Sequence, residues 1–424
     1  MKKSSNLLLL ALCLVCVFTS FSAVSADKKE MVEFWMLPVI DEAKLNDLVS
    51  EFNAQSETTE VSLSVLAWSD GREQIKQAVA AGVGPDVFYI GAGLDNDYIQ
   101  GQLLLPLDEN GYSQEDIEKY SPLIATSSAN GHLLAAPLSY ELYILYYRTD
   151  ILEQFGYDAP PATRAELKEM ASKISKDSNG EIMGFQFKGA DDQLNAINYS
   201  WQTLLTQNGG SLMDLDNMKS TEFSEIAVKT LEYMKSFYSE GISTLGTSAN
   251  NGFREGKIAM FEFTTGPLTT EGYSTDPNMS GKWSVAALPA GEDNGGGYLG
   301  GHAVAVNAAT EVSEGAVEFV KWFTSPKNAT VWMKNFYGVQ PYDMEKLSAE
   351  EKTAITEVME SEPEYWNAIT AEAAACTPDF MIQTRYAYSA RWDGQKRLII
   401  AALTGEMSVE DALKQLDVEI NQSL

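Results

Sequence analysis

The sequence predicts an α/β protein of two domains. Three observations carry this: strands alternate with helices from Val32 onward, strand-like sequence returns after a long helical block, and the 424-residue chain is long enough for two hydrophobic cores. Val32 to Leu37 reads as a strand, and Leu45, Leu48, Val49 and Phe52 then fall on one helical stripe. Val61 to Ala67 alternates as a second strand and Arg72 to Ala81 follows as a helix. Asp86 to Ile90 is a third strand, entered through the Gly82 to Pro85 turn. This order implies a parallel sheet covered on both faces. Thr163 with Glu166 makes a capping box, and Ser325 before Pro326 gives an N-cap with proline at the first helical position. Between these helices Ile258 to Phe263, Trp283 to Leu288 and Ala303 to Val306 read as strands, as expected if the chain crosses between domains more than once. Ser408 and Asp411 cap a last helix whose stripe is Val409, Ala412, Leu413, Leu416 and Ile420.

The N-terminus has the three parts of a secretory signal peptide: Lys2 and Lys3, the apolar run Leu7 to Phe18, and a small-residue cleavage site ending at Ala26. The run is too short for a bilayer core that needs about 20 apolar residues. Neither Cys13 nor Cys16 follows a small residue, which argues against a lipid anchor. Export to the periplasm or the cell exterior, with residues 1–26 removed, is the expectation. The remaining cysteine, Cys376, then has no intrachain partner and is read as a small packing residue rather than a nucleophile.

The net charge is −30, and removing residues 1–26 takes away two lysines and no acid. So acidic a chain lacks the basic footprint of a nucleic-acid binder and favours a self-repelling monomer. His132 and His302 stand in unrelated contexts, so no zinc site is expected. Neither a serine-hydrolase elbow nor a phosphate-binding P-loop occurs. Gly295, Gly297 and Gly300 match a dinucleotide glycine pattern, but a strand rather than a helix follows, so the match reads as a loop. No cofactor is implied.

Several segments, weak singly but ordered and spaced together, resemble the extracellular sugar-binding proteins of bacterial ABC transporters, including the maltodextrin-binding type. They are Ala80 to Val87, Gln100 to Leu107, Ala136 to Leu152, Asn208 to Gly210, Phe253 to Met260, Leu288 and Pro289 with Gly300 and Gly301, and Leu403 to Leu413. The resemblance implies a two-lobed fold of the periplasmic-binding-protein type, each lobe a mixed sheet flanked by helices. Lobe one would hold residues 27–137 and about 267–312, and lobe two 138–266 and about 313–424, with crossings near 135–140, 262–267 and 308–316. It also implies a sugar or oligosaccharide bound between the lobes and a membrane permease as partner. A secreted glycan-active enzyme, an adhesin and a sensor-coupled receptor are the alternatives.

Sugars require flat apolar surfaces for their ring faces and directional partners for their hydroxyls. The resemblance places a cleft carboxylate at Glu141, beside Tyr140, and an aromatic wall at Tyr199 and Trp201, although Glu141 also suits a surface and the two rings a core. It places a stacking ring at Trp392, with Asp393 beside it. Arg391 and Arg385 lie nearby and could hold a carboxylate or phosphate, pointing to an acidic sugar. Ligands of open α/β sheets sit beyond the carboxyl ends of strands, which adds Trp35, Trp68, Asp70, Glu262 and Phe263. Strand-end packing, or an N-cap for Asp70, explains these equally well. The loop Gly91 to Asp97 lacks the tryptophan that maltodextrin binders commonly present, which leaves the sugar open.

Overall fold

The computed structural model describes residues 29–187, 197–273 and 275–424. The segment 1–26, read from the sequence as a signal peptide, lies outside the described residues. The main sheet runs, from one edge to the other, Thr59–Val65, Glu30–Met36, Val87–Gly91, Leu299–Val306, Ala136–Tyr147, Met260–Thr264 and Gln186–Phe187. Ser284–Ala286 also pairs with Ala136–Tyr147. The first three strands are mutually parallel, as their βα connections require, and Leu299–Val306 enters antiparallel.

The two-lobed architecture turns on the twelve-residue strand Ala136–Tyr147. Its first half, up to Leu142, pairs with Leu299–Val304 of the first sheet. Its second half, from Tyr143, pairs with Met260–Thr264 on one side and Ser284–Ala286 on the other. A strand covered on both faces reads as a near-continuous apolar run, and this one does. Because successive side chains alternate, Ile144 and Tyr146 join one core while Leu145 joins the other.

The first core is built around Phe34, whose ring meets Phe319 at 5.1 Å and Phe323 at 5.2 Å. Helix Glu42–Gln55 lies on it, buried through the predicted stripe Leu45, Leu48, Val49 and Phe52 and capped by Asp41. The second core gathers Phe185, Phe187 and Phe237 with helices Arg164–Asp177, Glu225–Ser239, Tyr388–Thr404 and Val409–Asn421. Thr163, Ser325 and Ser408 cap the helices assigned to them.

One expectation is corrected. Helix Ser313–Phe323, expected after a crossing near 308–316 and so in lobe two, stays on the first sheet. Its buried side chains Phe319, Val320 and Phe323 complete the Phe34 core. The chain rejoins the second core with helix Tyr388–Thr404, which buries Leu398 and Ile399 there. Hydrophobic complementarity to Phe34 and Phe52, which the stripe itself does not specify, decides its place.

A candidate ligand cavity between the lobes

A cavity of about 440 Å³ opens where the first sheet's carboxyl ends meet the second lobe. Trp68, Asp70 and Arg72 reach it from the end of strand Thr59–Val65 and the start of helix Gly71–Ala80. Tyr89 to Gly91 end the next strand there. The opposite wall comes from helix Ile197–Gln207 through Tyr199 and Gln202, from Phe380 and Met381, and from Tyr388, Arg391 and Trp392 in the first turns of Tyr388–Thr404. Tyr298 to Gly301 form the floor. Strand ends on one side and helix starts on the other bring polar main chain and side chains together without breaking either core.

The walls are aromatic. Trp392 stacks on Tyr388 at 5.9 Å and 16° and meets the edge of Tyr199 at 5.2 Å. Tyr199 continues to Tyr298 at 4.4 Å, and Tyr298 to Phe380 at 5.7 Å. Across the cavity Trp68 meets Tyr89 at 5.8 Å. Trp68 and Tyr388 leave 44% and 42% of their surface open, so each wall offers a ring with an uncovered side.

Among the charged groups, Arg72 lies over both Trp68 and Tyr89, at 5.4 and 5.7 Å, and donates to the Tyr89 hydroxyl at 3.2 Å. That hydroxyl also bonds His302 Nδ1 at 3.0 Å. Burial, together with the Arg72 charge, pushes the His302 pKa down to about 3, so the ring is neutral. Lys76 is held by Asp95 at 3.0 Å and by Asp97. Behind Trp392, Arg391 pairs with buried Glu222, which also accepts from Trp201 Nε1 at 3.2 Å and Gln395 Nε2 at 2.6 Å. Glu141 sits behind the floor, its Cα paired with that of Gly300. Burial pushes its pKa up to about 7, against a hydrogen bond from Thr264 and the Arg72 charge.

Of the residues singled out in the sequence, Trp68, Asp70, Tyr199, Gly300, Gly301, Arg385, Arg391 and Trp392 lie on the cavity wall. The others do not. Tyr140 is fully buried, because the inward face of the crossing strand points it into the first core. Trp201 is buried in the second core and bonded to Glu222, since it stands on the face of its helix opposite the cavity. Glu262 is buried and neutralised by Arg164 at 2.7 Å, a structural ion pair. Trp35 is half-buried and donates to Glu33 at 3.0 Å. Phe263 packs edge-on to Tyr143 at 5.6 Å, and Asp393 is exposed on the outer side of its helix. Gly301 has a packing reason: a Cβ there would stand 2.6 Å from the Ser139 carbonyl oxygen.

Sequence reasoning missed Arg72, Tyr89, Tyr298, Phe380 and Tyr388. Arg72 and Tyr388 were within reach, since they follow Asp70 and precede Trp392 by a turn or less. Phe380 comes from a short helix that only the fold brings to the cavity. Cys376 is half-buried, and burial pushes its thiol up, away from the reactive thiolate.

Residues 38–330 match the family described as bacterial extracellular solute-binding protein. A probable ABC transporter-binding protein of Deinococcus radiodurans is 31% identical over 237 residues, 53% of this chain and 55% of that protein. The chain spans about half to three fifths of the length of such curated relatives. Among solved structures, the cyclic α-maltosyl-1,6-maltose binding protein of Arthrobacter globiformis superposes with a TM-score of 0.78 at 19% identity, covering 93% of this chain and 99% of that one. The maltose-bound T. maritima MalE3 gives 0.72 at 24%, covering 93% and 100%. These likenesses show the same fold. With the family match over most of its length and a cavity where two α/β lobes meet, the chain belongs to the bacterial extracellular solute-binding proteins.

Proposed function

We propose that this protein is the substrate-binding receptor of an ABC importer, capturing a sugar or oligosaccharide between its lobes and delivering it to a membrane permease without chemical change. The observation that supports this best is the pair of facing aromatic walls, each with an uncovered ring, Trp68 on one lobe and Tyr388 on the other. Ring faces of a pyranose stack on such surfaces, while Asp70, Glu73, Gln202 and Arg72 supply partners for its hydroxyls. The volume lies within the range of about 300–1,000 Å³ usual for small-molecule sites. The names of its relatives, binders of maltose and of a cyclic maltosyl-maltose among them, favour the same ligand class.

In this reading the lobes rotate about the junction at Leu142 and Tyr143 and the turn at Gly266, and the ligand makes closure favourable by touching both walls. The exported chain begins at Asp27, carries no lipid and acts as a monomer. A thermal-shift screen over a sugar library tests the proposal. A hit at 100 times its dissociation constant should stabilise the protein by about 2.7 kcal/mol, and scattering should record a smaller radius of gyration with that sugar. No stabilisation by any saccharide would refute the reading.

A further inference from the structure

The acids and bases on the cavity wall are not evenly matched. Asp70 is held by Ser69 at 3.0 Å and by Gln74 at 2.6 Å, Glu73 by Gln77 at 2.6 Å, and Asp95 by Lys76 at 3.0 Å. Arg391 has Glu222. Arg385 spends its guanidinium on three backbone carbonyls, those of Gly93, Thr126 and Ser128, so it clips loops together rather than waiting for a ligand. Arg72 differs from all of these. Its side chain is exposed in the cavity, and among the described residues its one hydrogen-bond partner is the Tyr89 hydroxyl. No carboxylate of the described residues lies within ion-pairing distance of it, and the stacked faces of Trp68 and Tyr89 hold it in place.

Resting on the saccharide reading above, we propose that the bound sugar carries a carboxylate, as a uronic acid does, and that Arg72 is the cation that receives it. Closure of the lobes removes water from Arg72, and a desolvated guanidinium without a counter-charge is strongly unfavourable unless the ligand brings one. The planar fork left free by Tyr89 matches the two oxygens of a carboxylate. Glu141, held toward its neutral form by burial, does not supply a full counter-charge. The chain's net charge of −30 does not forbid an anion: surface charges are screened beyond about 8 Å at physiological ionic strength, whereas Arg72 acts at contact.

Calorimetric titration with matched disaccharides tests this. Neutral gluco-, galacto- and manno-configured disaccharides are compared with the same compounds oxidised at C6, and with their 6-phosphates, at low and high salt. The expected result is an acidic member binding at least about tenfold more tightly than its neutral match, a charge-assisted pair's worth, with the advantage shrinking at high salt. Arg72→Gln should bring the acidic-to-neutral ratio toward one, and Arg72→Lys should keep part of it. Neutral disaccharides binding as tightly as their acidic matches would overturn the inference and leave the sugar receptor standing. A phosphate preferred over the carboxylate would overturn the carboxylate assignment. Binding of no saccharide of any class would overturn both readings.

Discussion

Replacing Trp392 with alanine separates a cavity wall from a core. The ring is half-buried, stacked on Tyr388 and edge-on to Tyr199, and its carbonyl accepts from Asn198 at 2.8 Å. An aromatic contact adds about 0.5–1.5 kcal/mol beyond area burial. Removing the ring costs the ligand one stacked surface and leaves Tyr388 without support. Together these should exceed 1.4 kcal/mol, about one decade in affinity. The unliganded protein should lose only about 1–2 kcal/mol, because the ring is partly exposed on a cavity wall rather than enclosed in a core. Trp201 is the internal control: it is fully buried and bonded to Glu222, so Trp201→Ala should cost about 3–5 kcal/mol of stability. Urea unfolding of the two apo variants, with calorimetry on a sugar identified by screening, reads both quantities. Unchanged affinity in Trp392→Ala, combined with a stability loss as large as that of Trp201→Ala, would refute the wall assignment.

Glu141 should give the protein a pH dependence. Its folded pKa of about 7 lies above the usual 4.5, so between these values the folded state holds a proton that the unfolded state has released, and stability falls as pH rises through that window. Glu141→Gln should remove this fall, read as the difference in thermal midpoints between wild type and variant across the window; a constant difference would contradict it. Glu222→Ala leaves Arg391 buried without its carboxylate and should cost about 3–5 kcal/mol by urea unfolding, and a loss below about 1 kcal/mol would show that the pair is not needed. Gly296→Ala would put a Cβ 2.0 Å from the Ala375 carbonyl oxygen, so it should destabilise by about 1–3 kcal/mol in the same assay. An unaltered midpoint would mean that the 295–297 loop relaxes freely.

Much of the fold was legible because its signals are local. The stripes of Glu42–Gln55 and Val409–Asn421 are written in the spacing of their apolar residues, and the buried side chains are the ones that spacing names. Caps at Thr163, Ser325 and Ser408 follow from the chemistry of a few neighbouring residues. The glycine pattern at 295–300 was read as a loop because a strand follows it, and Leu299–Val306 is that strand. The candidate site was legible only in part. Trp68, Tyr199 and Trp392 reach the wall, whereas Tyr140 and Trp201, equally aromatic and adjacent in sequence to candidates, turn inward.

By itself, then, the sequence determined the α/β alternation, the capped helices and the motif order shared with a family of binding proteins, each set by contacts a few residues apart. The tertiary structure alone decided which face of each element meets the cavity, that helix Ser313–Phe323 remains on the first sheet, and which cations are already engaged. Arg385 and Arg391 look as available in the sequence as Arg72 does. Three backbone carbonyls engage the first and Glu222 the second, and these partners stand well over a hundred residues away. Such pairings depend on how two lobes pack, and no periodicity or local motif encodes them.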